Sequence, residues 1–342
     1  MIQRTNPTPP TPRAARFHWA AIGAAVLTLA LAACGAPAGS TPATTPATTT
    51  AASPDASGSD AASGTFPVDV VTGAAGSTDT VTIEERPAAI VSLSPTATET
   101  LFAIGAGDQV KAVDGQSDYP AEAPITDLSG YTPNIEAILG YEPDLVVTST
   151  ADSDLVAGLS NAGVPALVLP SAPNLDAAYD QIERLGTAAG HLADAKALTA
   201  RMDETIRATV DATPKVEGVT YYHELDPSLY TVTSGTFIGE VYSLFGLTSI
   251  ADAAGTSDLY PQLSEEYVVS ANPDLIFLSD TQCCGVTPES VGQRAGWSGL
   301  TAVTDGRIHV LDEDVASRWG PRVVDFVTTI SEHVSALETA HA

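Results

Sequence analysis

Short unbroken apolar runs alternate along this chain with stretches whose apolar residues return every three or four positions. Ala89-Ile-Val-Ser-Leu93 predicts a buried strand, and Ser94-Pro95-Thr96 then opens a helix to about Ile104, where Gly105 and Gly107 end it. Thr96-x-x-Glu99 fits a capping box at that start. A strand is expected over Val110–Val113, loops from Asp114 to Pro133, a strand over Leu145–Thr148, a helix over Leu155–Ala162 and a strand over Pro165–Leu169. Helices over 175–189 and 192–211 follow, parted by Gly190-His191; Leu198, Met202, Ile206 and Val210 line one face of the second. A connection of that length is no floppy hinge. Val219–His223 then predicts a strand, Ile238–Phe245 a helix, Ile308–Leu311 a strand, and Val323 to about Leu337 a last helix. Such alternation implies α/β architecture, mainly parallel sheets flanked by helices.

One pattern occurs twice. Glu136 to Ser149 (EAILGYEPDLVVTS) and Glu266 to Ser279 (EYVVSANPDLIFLS) each hold a short amphipathic helix headed by Glu, a Pro-Asp turn and a buried strand. The copies lie 130 positions apart. That is too long for a solenoid period and suits two similar, Rossmann-like lobes with the working crevice between them.

The first 65 residues do not read as folded. Arg4, Arg13 and Arg16 precede an apolar run from Trp19 to Ala32 that is too short for a spanning helix and reads as a secretion signal. Its exit, Leu31-Ala-Ala-Cys34, resembles a bacterial lipobox, in which Cys34 becomes the lipidated N-terminus that holds the protein on the outer face of the membrane; an ordinary secretion signal with a chance cysteine is the alternative. From Gly35 to Gly64 the chain is nearly all Ala, Thr, Pro, Ser and Gly, a tether with no apolar payload to offset ordering. The expected division is therefore 1–33 signal, 34–65 lipidated Cys34 and tether, 66–174 N-terminal lobe, 175–213 connecting helices and 214–342 C-terminal lobe. Net charge is −28, and about −31 once the three signal arginines are gone, which repels nucleic acid.

Ligands of parallel sheets sit beyond the carboxyl ends of the strands. That rule nominates Ser94 and Thr96, then Asp114, Asp118 and Tyr119, then Tyr131; in the second lobe it nominates Tyr222, His223 and Glu224, the stretch Asp280 to Cys284, and Asp314 with Arg318. Trp319 offers either a flat face for a macrocycle or core packing. His223 is either a metal ligand or a hydrogen-bonded strand-end side chain. No resident metal is expected, because the histidines are scattered, and no cofactor. Cys283 and Cys284 are adjacent, so a bond between them closes an eight-membered ring that rigidifies the loop; a thiolate metal site is the alternative. No nucleophile elbow, phosphate loop or zinc-hydrolase helix is present, so no catalytic residue is nominated. The rival readings are a cleft enzyme on the same fold and a surface adhesin or sensor.

Val-Ser-Leu-Ser-Pro-Thr-Ala-Thr-Glu (91–99), Asn-Ile-Glu-Ala-Ile-Leu-Gly-Tyr-Glu-Pro-Asp-Leu (134–145), Glu-Leu-Asp-Pro-Ser-Leu-Tyr-Thr (224–231) and Ser-Arg-Trp-Gly-Pro-Arg (317–322) together resemble the substrate-binding lipoproteins of bacterial ABC importers for ferric siderophores, haem and cobalamin. The resemblance runs from about Arg86 to Val334. It implies two α/β lobes joined by one long rigid helix, placed at 192–211, and a monomer that captures a metal chelate and delivers it to a permease. It makes Glu136 and Glu266 docking acids, each facing a permease arginine; the bland alternative is a pair of acids favoured by helix dipoles. Asp314 and Arg318 match a pair that contacts ligand in cobalamin-binding relatives, with a local ion pair as the alternative; Trp319 stands where many relatives have proline. Eleven Lys and Arg remain after the signal, chiefly Arg294, Arg318 and Arg322 for the cleft. That is poor equipment for an anionic catecholate complex. A corrinoid or a ferric hydroxamate fits better, with a lean to corrinoid from Asp314, Arg318 and the Ser-Asp-Tyr-Pro loop at 117–120.

Overall fold

Two parallel sheets carry the architecture of the computed structural model, which describes residues 64–341, with side chains to 337. The secretion signal, Cys34 and most of the tether lie outside the described residues. An antiparallel ribbon comes first, β1 (Val68–Val71) with β2 (Thr80–Ile83). The first sheet then has the order β5-β4-β3-β6-β7, from β3 (Ile90–Leu93), β4 (Val110–Asp114), β5 (Ile125–Leu128), β6 (Leu145–Thr148) and β7 (Ala166–Val168). The second has the order β11-β10-β8-β9, from β8 (Thr220–Glu224), β9 (Thr248–Ser249), β10 (Leu275–Leu278) and β11 (Ile308–Val310). Every pairing within these two sheets is parallel. The strands β3, β6 and β10 are buried at all four positions, which is why they are written as unbroken apolar runs rather than alternations.

Helices cover the faces: α1 (Pro95–Ala103), α2 (Ile135–Leu139), α3 (Ser153–Asn161), α4 (Leu175–Ala189), α5 (Leu192–Ala212), α6 (Phe237–Ser243) and α7 (Glu265–Ala271), with several shorter turns and a C-terminal helix, Val323–His341. Gly190 ends α4 in the left-handed region at φ 78°, where a side chain would be strained. At 21 residues, α5 spans about 32 Å. Its Leu198, Met202 and Ile206 are buried, and the helix packs on α4 and on the C-terminal helix. The largest apolar cluster takes residues from both sheets, Ile90 and Leu145 as well as Tyr221, Phe277 and Phe326, so one core runs through the described unit.

The repeated segment has a common structural task. Asn134 and Ser264 cap α2 and α7 by accepting the amide three residues on. The turn aspartates then fasten the neighbouring strand. Asp144 Oδ2 accepts from the amides of Ala88 and Ala89, each at 2.9 Å, just before β3. Asp274 Oδ2 accepts from the amide and hydroxyl of Thr220, at 2.8 and 3.0 Å, at the start of β8. Each aspartate thus fixes where the central strand of its sheet begins.

The expected elements from Ile90 on reappear within one to three residues at most boundaries, the last helix running past Leu337. Missing from the expectation are the ribbon β1–β2, β5 and the two-residue β9. Only Leu128 of β5 and one residue of each ribbon strand are buried, so their sequences carry no core signal.

Candidate functional site

The carboxyl ends of both sheets place the loops between the lobes. In the first lobe, Ser94 caps α1, its Oγ accepting from the Ala97 amide at 3.4 Å, and is buried. Thr96 is nearly buried in the first turn. The expected capping box is corrected here: Ser94 is the cap, and Glu99 turns away from it toward two arginines. Asp114 ends β4; its carboxylate accepts from Ser117 Oγ at 2.9 Å and the Gln116 amide at 3.1 Å, and burial raises its pKa above the ordinary value. Asp118 and Tyr119 follow in the open, and Tyr131, after β5, is 85% exposed.

The structure overturns two nominations in the second lobe. Tyr222 and His223 are fully buried, because β8 lies inside its sheet with both faces covered. Tyr222 packs edge-on against Trp297, ring centroids 5.9 Å apart. Both nitrogens of His223 are engaged, Nδ1 with Tyr242 Oη at 2.8 Å and Nε2 with Ser279 Oγ at 2.9 Å. Burial lowers its pKa to about 3, so the ring is neutral. Neither side chain reaches the cleft, and His223 offers no nitrogen to a metal centre. Among the described residues no group of three or more His, Cys, Asp or Glu could hold a metal ion, and no helix is long and apolar enough to cross a membrane.

The segment after β11 ties the lobes together. Arg318 Nη1 lies 2.8 Å from Glu99 Oε1 and 3.5 Å from Asp118 Oδ1, while its Nη2 lies 2.5 Å from Asp314 Oδ1 and 3.0 Å from the Gln116 carbonyl. Arg322 grips the same Glu99 in a two-pronged pair, 3.0 and 2.6 Å, and sets its guanidinium over the Tyr119 ring at 4.2 Å. Glu99, with its side chain 1% exposed, is therefore a single buried acid shared by two arginines from the other lobe. Trp319 lies partly buried against the core and donates its Nε1–H to Gln181 of α4 at 2.9 Å. It is an anchor to the connecting helices rather than an open flat face.

The third candidate cleft cation is also neutralised. Arg294 pairs with the buried Glu224 through both prongs at 2.5 Å. Of the exposed large apolar side chains, Tyr119 and Tyr131 lie on loops that follow strands of the first lobe and Tyr230, Leu259 and Tyr260 on loops of the second, while Ile125, Tyr141 and Val310 are exposed elsewhere. Tyr230, Leu259 and Tyr260 were missed by sequence reasoning. Their signal was large apolar residues stranded in polar loops that follow β8 and precede α7. Glu99 was missed as an inter-lobe acid because its partners lie more than 200 residues away.

Cys283 and Cys284 are bonded to each other on the exposed turn Thr281–Cys284. Glu136 and Glu266 are both exposed and stand at the second position of α2 and of α7. Gly130 sits hard against the site's floor. A methyl there would lie 2.6 Å from the Leu93 carbonyl and 2.7 Å from Asp114 Oδ2. Gly130→Ala is expected to cost about 1–3 kcal/mol in urea unfolding, as overpacking does; an unchanged midpoint would show that the Tyr131 loop yields freely.

Two parallel sheets, joined by one long helix and by buried ion pairs between their strand-end loops, define a two-lobed α/β solute-binding protein. The model of the Periplasmic binding protein family matches residues 90–315, and the chain belongs to that family. The chain is 31% identical over 265 residues to the uncharacterized ABC transporter substrate-binding lipoprotein YvrC of Bacillus subtilis, covering 74% of this chain and 82% of that one. It is 32% identical over 260 residues to a cobalamin-binding protein of Halobacterium salinarum, covering 72% and 69%. Its fold matches the periplasmic vitamin B12 binding protein BtuF of Vibrio cholerae at a TM-score of 0.60 and 26% identity, over 74% of this chain and 98% of that one. It also matches the haem-binding RhuT of Roseiflexus at 0.63, with 24% identity over 73% and 98%. This is a substrate-binding protein of the ABC-importer type.

Proposed function

We propose that the protein is a lipoprotein, anchored through Cys34, that captures a corrinoid between its lobes and hands it to an ABC permease through Glu136 and Glu266. One observation carries the choice of cargo. All three basic side chains near the strand ends are spent on Glu99, Glu224, Asp314 and Asp118, while exposed tyrosines line the loops of both lobes. Such a cleft repels a multiply charged anion and offers apolar and hydroxyl surface to a large neutral chelate rich in amides. Asp314, one oxygen held by Arg318, accepts from ligand amides. Relatives named for cobalamin and vitamin B12 support the same reading. A ferric hydroxamate is the second reading, since it shares the lack of strong negative charge.

The docking acids rest on topology. Each helix of the repeat begins at the carboxyl edge of its sheet, so both acids stand on the rim that borders the cleft. Charged rim residues of this kind set encounter and register.

Titration of the mature protein with cyanocobalamin, haem and a ferrioxamine-type chelate, followed by tryptophan quenching, tests the cargo. Cyanocobalamin is expected to bind in preference to the other two. Tyr131→Ala and Tyr260→Ala should each weaken it by about 1–2 kcal/mol, roughly five- to thirty-fold. Silence toward cyanocobalamin, with binding of the ferric chelate, transfers the assignment to the second reading.

A further inference from the structure

The carboxyl ends of β8 and β10 enclose a cluster of buried polar atoms around the Arg294–Glu224 pair. Glu224 ends β8, is fully buried and is held by both prongs of Arg294. Asp280 follows β10 and is 0% exposed, yet neither of its oxygens meets a hydrogen-bond donor. Thr281 Oγ1 is likewise buried without a partner, and the buried Tyr222 Oη has only Glu224 within side-chain reach. Buried polar atoms are nearly always satisfied, so a cluster that is not demands a physical reason.

Local geometry supplies it. Asp280 holds the cap position of the turn Thr281–Cys284, but its side chain makes no capping bond. Glu313 does that work from the neighbouring strand end, accepting from the amides of Gln282 and Cys283, the latter at 3.1 Å. The Asp280 carboxyl is free to face inward, one residue past Ser279, whose amide bonds the Glu224 carbonyl at 3.0 Å, and it lies within side-chain hydrogen-bond reach of Glu224. Two carboxylates are both acceptors and cannot bond until a proton stands between them. Both prongs of Arg294 already bond Glu224, while neither Asp280 oxygen has a partner donor, so the proton belongs to Asp280.

We infer that Asp280 is a neutral carboxylic acid that donates its proton to Glu224 and thereby positions the disulfide turn 281–285 on the second lobe. Burial first, then the charge of Glu224, push its pKa up to about 8. Arg294 opposes that rise and Glu313 adds to it. The other group facing the pair is Tyr222, on the same side of β8; His223 points to the opposite side, bound to Tyr242 and Ser279. The sign of the linkage is fixed. A seated turn retains a proton that a released turn gives up, so rising pH favours release.

Hydrogen exchange over residues 279–286 of the intact protein, read by mass spectrometry and corrected for intrinsic rates, tests this without any ligand, so the result is independent of the cargo. Between the ordinary aspartate pKa and the raised one, protection of this segment should fall about tenfold per pH unit. Asp280→Asn keeps a donor toward Glu224 and cannot ionise, so its protection should stay level across that range. A flat wild-type profile, or an equal slope in Asp280→Asn, overturns the inference. So does recovery of protection by Ca2+ or Na+ at alkaline pH, which would put a cation where we place the proton. Should Asp280→Asn not fold, infrared difference spectra of the wild type decide: a protonated-carboxyl C=O band at about pH 6, lost at about pH 9, is expected, and its absence at the lower pH refutes the assignment.

Discussion

Glu99→Ala is expected to destabilise the folded protein by about 3–5 kcal/mol, a large share of the stability of an ordinary domain. The carboxylate is buried, and its removal strands two guanidinium groups, Arg318 and Arg322, whose side chains are themselves only 10% and 16% exposed. Leaving uncompensated buried charge is what makes such a change costly; the pair itself adds less. Asp118→Asn is the control, because Asp118 is 57% exposed and 3.5 Å from Arg318; solvent screening should hold its effect under about 1 kcal/mol. Urea unfolding followed by circular dichroism makes the comparison. A loss below about 1 kcal/mol for Glu99→Ala would mean that the lobes are held by the apolar core alone.

Reversal of charge at both proposed docking acids, Glu136→Lys with Glu266→Lys, should abolish delivery while leaving capture intact. Both side chains are exposed at helix starts and take part in no packing that a lysine would disturb. If each meets a cationic patch on the permease, like-charge contact costs several kcal/mol, enough to lower uptake by roughly a hundredfold. Uptake of labelled cobalamin by cells carrying the full-length protein is compared with affinity of the purified double variant. Normal uptake would remove the docking role. A parallel loss of affinity would place these acids in ligand binding instead.

The fold was legible because its central strands are buried on both faces and its long helices carry regular apolar rows. Ile90–Leu93, Leu145–Thr148 and Leu275–Leu278 could hardly be anything but core strands, and Leu198, Met202 and Ile206 announced their helix. Edge elements such as Ile125–Leu128 bury too little to leave a pattern. The site was legible by address and not by orientation. The strand-end rule found the loops, yet β8 points His223 into the sheet, and only its neighbours Tyr242 and Ser279 reveal this. Tyr230 and Tyr260 were passed over since each lies well past the end of the strand it follows, beyond the reach of the strand-end rule. The partnership of Glu99 with Arg318 and Arg322 is set by tertiary closure, which no local spacing encodes.

Asp144 and Asp274 bear on how such a receptor can change its diet. By bolting each sheet at its amino edge, they leave the opposite edge free to accept insertions, deletions and exchanged turns without disturbing strand alignment. Retailoring for a new nutrient then requires rewriting a few turns upon an unaltered chassis. A homologue that keeps both fastenings is a suitable donor of such turns for chimeras.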